Sequence, residues 1–323
     1  MNATLSLTPR LHPTVASFLS SAARVHAILE AFGSPVNLVF PHLIRDNLSA
    51  FEAVYRKHDL RGRIYYAHKS NKSISFLREL AMGGAGVDTA SEAELIKALA
   101  AGIRPERIEA TGPKSLEFLW LCIQHGVLLN VDSLAELELA AKLSRRMGGG
   151  RRDILLRLCG FEARHSRIIP KDSRFGIALR DFEYACRLIS AAADGLALRG
   201  LAFHLDTTSS QEKLEAAAQC LELMQSACAY GLNPRVLNVG GGFGVNYLAE
   251  RREWDEYITA LRASLLGQHE PLTWNQHGFG LRPEQGVIRG SLNIYEYYNP
   301  QAASFHLDAL LGGMLESQGR TLA

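Results

Sequence analysis

Short apolar runs alternate with longer amphipathic stretches along most of the chain, and this pattern predicts strands that alternate with helices. Alternation of this kind is typical of α/β proteins with a parallel sheet. The predicted strands are Ile64–Ala67, Gly86–Thr89, Arg107–Thr111, Leu128–Val131, Ile154–Cys159, Leu201–Leu205 and Val236–Val239.

The predicted helices fall between these strands and show clear signals at their ends. The helix predicted over Ser91–Ala101 has Ser91 as its N-cap and Glu94 as the second half of a capping box, and Gly102 follows it as a stop. Two more helices are predicted over Leu134–Leu143 and from about Ser115 onward.

Polar residues or glycines follow almost every predicted strand. They are Lys69, Asp88-Thr89, Thr111-Gly112, Asp132-Ser133, Arg157, His204 and Gly240–Gly242. In a (β/α)8 barrel all strand ends meet on one face, whereas in an open doubly wound sheet they are spread along an edge. The polar strand ends therefore favour a (β/α)8 TIM-like barrel.

The domain organisation follows from where this alternation begins and stops. Residues 1–34 are predicted as an N-terminal helical lead-in, and residues 35–323 as one barrel domain. Within that domain, residues 266–310 are rich in aromatic residues, glycine and asparagine, and we interpret them as an insertion that forms an ordinary surface loop or a lid. Only seven strands are predicted, and a seven-stranded parallel barrel would leave a seam of unpaired backbone groups. Either an eighth strand has no clear pattern in the sequence or the chain ends inside the fold, and we expect a barrel that lacks its last strand.

Composition and charge exclude several classes of function. The chain has 323 residues and is 47% hydrophobic, which allows a large core. Its formal net charge is +2, and no basic stripe with interleaved aromatic residues indicates a nucleic-acid-binding surface. No signal peptide or membrane span is predicted, and we expect a cytoplasmic protein. The five cysteines form no C-x-x-C pair, so we expect free, mostly buried thiols and neither a disulfide framework nor a metal site.

The first candidate for chemistry is Lys69, directly after the strand Ile64–Ala67. An ammonium at the inner end of a buried strand is costly, and such an amine gains a partner or a lowered pKa that favours imine formation with an aldehyde. The alternative is a lysine just past the strand end that reaches into solvent, and this segment alone leaves both open.

The second candidate is the run Gly240–Gly242, directly after the strand Val236–Val239. Glycines at a strand end let backbone N–H groups approach an anion closely, although a structural tight turn has the same sequence. A phosphate-binding loop that faces the strand-end amine of Lys69 predicts pyridoxal phosphate as the cofactor. His204 would then stack on the cofactor ring, and Thr207 would donate a hydroxyl hydrogen bond to the phosphate.

These segments resemble the pyridoxal-phosphate-dependent ornithine, arginine and diaminopimelate decarboxylases, which have an alanine-racemase-like barrel. The resemblance runs from about Pro35 to Tyr247, with the motifs in the family's order. The matching segments are Tyr66-Ala-His-Lys-Ser-Asn71, Gly86-Val-Asp-Thr-Ala-Ser-Glu-Ala-Glu94, Thr111-Gly-Pro-Lys-Ser115, Asn130-Val-Asp-Ser133, Arg157, Ser173-Arg-Phe-Gly176, His204 and Gly240–Gly242.

The resemblance implies a role for each matching residue. Lys69 would form the internal aldimine, and Lys69 and His204 would be the catalytic residues of an amino-acid decarboxylase that is a homodimer in its full-length form. Asp88 and Glu94 would be acids on the active face. The implied cofactor-binding residues are Lys69, Asp88, Arg157, His204, Thr207, Gly240, Gly241 and Gly242.

The chain departs from the family pattern in two places. Asp206-Thr207 stands where the family has Gly-Ser, which places a carboxylate near the expected phosphate. The family's E-P-G-R motif on the eighth strand and its C-terminal β domain are not found, so we expect this chain to be part of a longer enzyme.

Three other functions remain open from the sequence. One is an amino-acid racemase on the same barrel, and another is a non-catalytic, cofactor-binding or regulatory homologue. The third is a doubly wound sheet that binds a dinucleotide, but Gly240-Gly-Gly-Phe-Gly244 comes late in the chain and does not have the G-x-G-x-x-G spacing.

Overall fold

The computed structural model describes residues 5–162, 173–315 and 319–323. The chain divides into two compact units. The sheet unit comprises Pro41–Gly242 and Leu307–Ala323, and the smaller unit comprises Met1–Phe40 and Phe243–His306. The predicted limits of the lead-in (1–34), the barrel domain (35–323) and the insertion (266–310) stay predictions.

The sheet unit is built on a parallel sheet whose strands follow one another in the order β1-β2-β3-β4-β5-β7-β8, with the short β6 paired to β5. These strands are β1 (Tyr65–Ala67), β2 (Gly86–Thr89), β3 (Ile108–Ala110), β4 (Leu128–Val131), β5 (Arg152–Cys159), β6 (Ile177–Ala178), β7 (Leu196–Ala202) and β8 (Val236–Asn238). All seven predicted strands are confirmed.

The largest difference in strand limits is at β7, which begins five residues before the predicted Leu201. The prediction relied on the continuous apolar run from Leu201 and missed the first half of the strand, where buried and more exposed residues alternate. In that half, Leu196 and Leu198 are buried and Arg199 is exposed. That period of two is the ordinary pattern of a strand with one face buried.

The sheet is curled into an open barrel. Strands β3 and β8 are not neighbours in the sheet, yet the side chains of Glu109 on β3 and Asn238 on β8 are in hydrogen-bond contact across the interior. Within the described residues, β1 and β8 are the two edges of the sheet and do not pair with each other. The predicted α/β barrel that lacks its last strand is thus confirmed.

Helices alternate with the strands of the sheet unit, and further helices lie in the smaller unit. In chain order they are α1 (Pro13–Leu19), α2 (Ala22–Phe32), α3 (Ile44–Lys57), α4 (Ile74–Met82), α5 (Glu92–Ala100), α6 (Leu116–His125), α7 (Leu134–Met147), α8 (Phe182–Ala191), α9 (Ser210–Ala227), α10 (Arg251–Leu265) and α11 (Ser304–Leu311). The three predicted helices correspond to α5, α6 and α7. Their N-caps are Ser91, Ser115 and Ser133, and each serine oxygen accepts a hydrogen bond from a backbone N–H of the first turn.

The core of the sheet unit lies between the strands and the helices that connect them. Fully buried side chains from the helices, such as Leu77, Leu95 and Leu119, pack against strand residues such as Val87 and Leu129. The cysteines are free thiols, and Cys122, Cys186 and Cys220 are buried. No described helix combines the length and the apolar character needed to cross a membrane.

The smaller unit contains α1, α2 and α10 together with a two-stranded hairpin, β9 (Arg282–Glu284) and β10 (Val287–Arg289). Thr8 donates from its backbone N–H and its hydroxyl to the carboxylate of Glu253 at the start of α10. Tyr297 packs on the ring of Trp254 with 5.0 Å between centroids. Tyr297 of the predicted insertion is thus held by ordinary packing, whereas Trp274 is 86% exposed.

A second hairpin lies near the end of the chain, in the sheet unit. Its strands are β11 (Met314–Leu315) and β12 (Arg320–Thr321), which pair in antiparallel fashion. Leu310 and Leu315 are buried with Leu214 of α9 in a small apolar cluster.

Candidate active site

The carboxyl ends of the parallel strands bring the candidate residues to one end of the sheet unit. Electrostatic effects between them show this proximity. Burial raises the pKa of Asp88 and lowers that of His204, and the positive charge of Lys69 acts on both groups. The charge of Arg157 also acts on His204. Residues at the carboxyl ends of β1, β2, β5 and β7 therefore act on one another.

Lys69 lies in the 3-10 turn His68–Ser70, directly after β1. The Ser70 hydroxyl donates to Ala67 O at 2.7 Å and stabilises this turn. The lysine side chain is exposed, which corresponds to the alternative of a lysine just past the strand end. An exposed amine within electrostatic reach of the half-buried Asp88 and of His204 is accessible to a soluble aldehyde.

Asp88 is held at the end of β2 by the hydroxyl of Thr111, which donates to its Oδ1 at 2.6 Å. Burial raises the pKa of Asp88, while the Thr111 hydrogen bond and the Lys69 charge act in the opposite direction. The carboxyl is thus fixed in position and electrostatically linked to Lys69.

Glu94 is buried at the start of α5 and has structural partners. Its Oε2 accepts from the N–H of Ala90 at 2.9 Å, and its Oε1 lies 3.0 Å from Lys72 Nζ. Burial alone would raise the pKa of Glu94, but these two partners outweigh it and the pKa is lowered. The predicted capping box is confirmed with one change, since the carboxylate reaches Ala90 instead of Ser91.

Arg157 is oriented at the end of β5 from two sides. Its Nη1 forms an ion pair of 2.8 Å with Oδ1 of the buried Asp132, and its guanidinium lies 5.1 Å from the centre of the Phe175 ring. An arginine held in this way keeps one orientation toward the strand ends.

His204 stands beside the glycine-rich loop. The N–H of Gly241 donates to Nδ1 of His204 at 3.3 Å. Desolvation on its packed side, with the charges of Lys69 and Arg157, lowers the pKa of His204 to about 4, although part of the ring is exposed. The imidazole is therefore neutral at physiological pH, as a ring that stacks on a flat heterocycle should be.

The loop Gly240–Gly242 has a backbone that favours glycine at two of its three positions. Gly240 and Gly242 have φ angles of 71° and 77°. A Cβ at Gly240 would stand 2.5 Å from Phe203 O and 3.0 Å from the His204 ring, so the backbone passes directly under the histidine. Gly241 has more space, with its nearest neighbour at 3.9 Å.

Thr207 lies next to this loop, between β7 and α9. Its Oγ1 accepts from the N–H of Ser209 at 3.0 Å. The hydroxyl hydrogen is thus the part of Thr207 that it offers to a ligand.

A buried hydrogen-bond network supports the loop from inside the barrel, and sequence reasoning missed it. Glu109 is 1% exposed and accepts from Nδ2 of both Asn130 and Asn238 at 2.8 Å. Asn238 Oδ1 in turn accepts from the N–H of Gly240 at 2.9 Å. Burial and the nearby charge of Asp88 raise the pKa of Glu109 to about 7. The signal in the sequence was a carboxylate between Ile108 and Ala110 in the middle of a predicted buried strand.

Two buried lysines also lie at the strand ends without having been assigned a role from the sequence. Lys114 pairs with Glu136 at 2.9 Å and donates to the carbonyl of Asn130 at 2.7 Å, so it joins β4 to the segment before α6. Lys213 of α9 donates to Gly241 O at 2.6 Å. Helix and strand patterns alone gave no reason to bury either ammonium.

The residues present fit pyridoxal phosphate by shape and by chemistry. A glycine loop without side chains, in which a Cβ at Gly240 would clash, suits a phosphate, and a neutral imidazole beside it suits an aromatic ring. Lys69 supplies an accessible amine for the aldehyde. Of the predicted cofactor set, the structure brings Lys69, Asp88, Arg157, His204, Thr207, Gly240, Gly241 and Gly242 to the same end of the sheet unit.

Comparisons with known proteins agree with this geometry. Residues 42–275 match the family model "Pyridoxal-dependent decarboxylase, pyridoxal binding domain". The chain is 34% identical over 233 residues to the protein y4yA of Sinorhizobium fredii, an alignment that covers 71% of this chain and 48% of that protein. It is 28% identical over 280 residues to diaminopimelate decarboxylase of Bacillus subtilis, with 80% of this chain and 63% of that enzyme covered.

A solved structure shows the same fold. Diaminopimelate decarboxylase of Helicobacter pylori, complexed with L-lysine, superposes with a TM-score of 0.54 and 27% identity, over 64% of this chain and 54% of that one. The chain thus spans about half to two thirds of the length of these relatives.

Proposed function

Because the chain belongs to the family of pyridoxal-dependent decarboxylases, we propose that it carries pyridoxal phosphate on Lys69 and serves the decarboxylation of a small amino acid. The observation that supports this most is the neutral His204 against the Gly240–Gly242 loop, within electrostatic reach of the Lys69 amine. His204 would contact the ring of pyridoxal phosphate, the Gly240–Gly242 loop its phosphate, and the Lys69 amine its aldehyde.

The chemistry divides between the cofactor and the protein. When bound, pyridoxal phosphate supplies an electron sink for the negative charge that develops on the substrate α-carbon as CO2 leaves. Lys69 would hold the cofactor through its amine, and the same amine would carry the proton that returns to that carbon. His204 remains neutral and presents a flat face, so it orients the ring without adding a charge.

Asp88, Arg157 and Thr207 position this chemistry. The Thr111 hydroxyl keeps Asp88 in place beside Lys69, and the carboxyl offsets the positive charge of the amine. Asp132 and Phe175 hold Arg157 toward the strand ends. Thr207 offers its hydroxyl to the phosphate, in the position where a serine was expected.

The substrate class follows from the relatives. The Bacillus subtilis and Helicobacter pylori proteins are diaminopimelate decarboxylases, and the latter was solved with L-lysine. We therefore infer an amino-acid substrate of the diaminopimelate, ornithine or arginine type. The homodimer of the full-length protein remains a prediction from the resemblance, and the cytoplasmic location remains a prediction from the sequence.

Titration of the purified protein with pyridoxal phosphate tests this proposal. Lys69→Ala should lose the visible absorbance of the lysine-bound cofactor, while Lys142→Ala, at an exposed position on α7, should keep it. Unchanged absorbance in Lys69→Ala would reject the assignment.

A product assay distinguishes the reactions that share this cofactor. Release of labelled CO2 from diaminopimelate, ornithine and arginine is measured beside the optical rotation of the remaining amino acid. Loss of optical activity without CO2 release would assign a racemase instead.

A further inference from the structure

Lys213 is a buried cation under the glycine-rich loop. It lies in the first turns of α9, and its side chain is completely buried. Burying an ammonium is costly unless strong acceptors surround it, so its position needs a physical reason.

The ammonium of Lys213 lies against the glycine-rich loop. Its Nζ donates to Gly241 O at 2.6 Å. A Cβ built on Gly242 would stand 3.7 Å from Nζ, 3.5 Å from Thr207 O and 3.8 Å from Leu205 O. Gly242 is therefore close to both the ammonium and the segment after β7 that carries Thr207.

The hydrogen bond to Gly241 also orients the next peptide N–H. In a trans peptide the C=O and the N–H point in opposite directions. Because Nζ holds Gly241 O on the buried side, the N–H of Gly242 points away from Lys213, and Gly242 itself is exposed. An anion that binds on the open side meets this N–H, with the ammonium behind the peptide.

The charge of Lys213 reaches the same face as the other candidate residues. It lowers the pKa of His204 together with Lys69 and Arg157, whereas the carboxylate of Asp206 acts in the opposite direction. Burial lowers the pKa of Lys213 to about 8, so it is still mainly protonated at neutral pH. The positive charge of Lys213 thus opposes the effect of the Asp206 carboxylate on the pKa of His204.

We propose that Lys213 is a phosphate-site residue, a buried cation that fixes the glycine-rich loop through Gly241 and adds positive charge behind the bound phosphate. This inference rests on the proposed function, because it concerns the same cofactor. The loop is held at two points, since Asn238 of β8 accepts from the N–H of Gly240 and Lys213 of α9 donates to Gly241 O.

The test compares pyridoxal phosphate with pyridoxal, which has the aldehyde but no phosphate. Binding of both is measured by absorbance titration on the full chain and on Lys213→Met, Lys213→Gln and Lys213→Arg. Both molecules bond to Lys69, so the ratio of their dissociation constants isolates the phosphate. Lys142→Met, at an exposed position on α7, is the matched control.

If the proposal holds, Lys213→Met and Lys213→Gln weaken pyridoxal phosphate binding by about tenfold or more and change pyridoxal binding by less than about twofold. Lys213→Arg and Lys142→Met should retain the wild-type ratio. Glutamine keeps a donor for Gly241 O without the charge, so it separates charge from loop support, and it replaces methionine as the test if the methionine variant does not fold.

Two results would overturn the inference. One is a wild-type ratio in both neutral variants, and the other is equal weakening of both ligands, which would assign Lys213 a purely structural role. Failure of the wild-type chain to bond either aldehyde at Lys69 would instead reject the proposed function.

Discussion

Asn238 donates from Nδ2 to both carboxylate oxygens of Glu109, at 2.8 and 3.1 Å, although the two residues are 129 positions apart and their strands do not pair. The same asparagine accepts from the N–H of Gly240 through Oδ1. The buried carboxyl group of Glu109 is thus connected through the Asn238 side chain to the Gly240–Gly242 loop, which we assign to the phosphate.

Glu109→Gln should change how stability depends on pH. The folded-state pKa of Glu109 is raised from 4.5 to about 7, so the folded chain binds this proton more tightly than the unfolded chain does. Wild-type stability therefore falls relative to the variant as pH rises from about 4.5 to 7, by on the order of 3 kcal/mol in total. Urea unfolding at a series of pH values measures the difference.

Glu117→Gln is the control for this experiment, because Glu117 is exposed on α6 and should not alter the pH profile. A difference between wild type and Glu109→Gln that stays constant from pH 4.5 to 8 would show that Glu109 does not titrate in this window.

Gly240→Ala should disrupt the loop, whereas Gly241→Ala should leave the fold stable. The alanine at 240 would need a φ of 71° and would place its Cβ 2.5 Å from Phe203 O, which we expect to cost about 2 kcal/mol or more. At 241 the nearest atom is 3.9 Å away and the backbone is not left-handed. Thermal unfolding of both variants tests this, and equal stability would contradict the loop geometry.

His204 should titrate far below an ordinary histidine. Desolvation and the charges of Lys69 and Arg157 lower its pKa to about 4, so the ring stays neutral from about pH 5 upward. Histidine side-chain NMR, assigned with His204→Gln, gives the midpoint directly. A midpoint near 6.5 would mean that the ring does not feel these charges.

Local sequence patterns were sufficient for the strands and for most of the site. The strands Gly86–Thr89 and Leu128–Val131 have the limits that their apolar runs predicted, and Ser91 caps α5 as its spacing with Glu94 indicated. Lys69 and His204 were identified because they follow such strands. In a parallel barrel, strand ends converge, so a local position already indicates a place in the site.

Contacts between distant segments were not predictable in the same way. Glu109 contacts Asn238 only because the sheet curls. The spacing of hydrophobic residues within a strand does not indicate how far the sheet curls. Lys213 lies on a helix whose pattern does not show that a loop of the sheet folds over it. Glu94 was expected on the active face, which stays a prediction; burial and the Glu94 charge raise the pKa of Asp88, and the contacts of Glu94 with Ala90 and Lys72 at the start of α5 were not predicted.

Reduction of the cofactor-loaded protein with borohydride, followed by peptide mass spectrometry, shows which lysine bonds to pyridoxal phosphate. Reduction makes the bond between lysine and cofactor permanent, so the modified residue can be read from the peptide. We expect a pyridoxyl-phosphate adduct on Lys69, with Lys72, Lys114 and Lys213 unmodified. An adduct on another lysine, or no adduct at all, would contradict the assignment of this site.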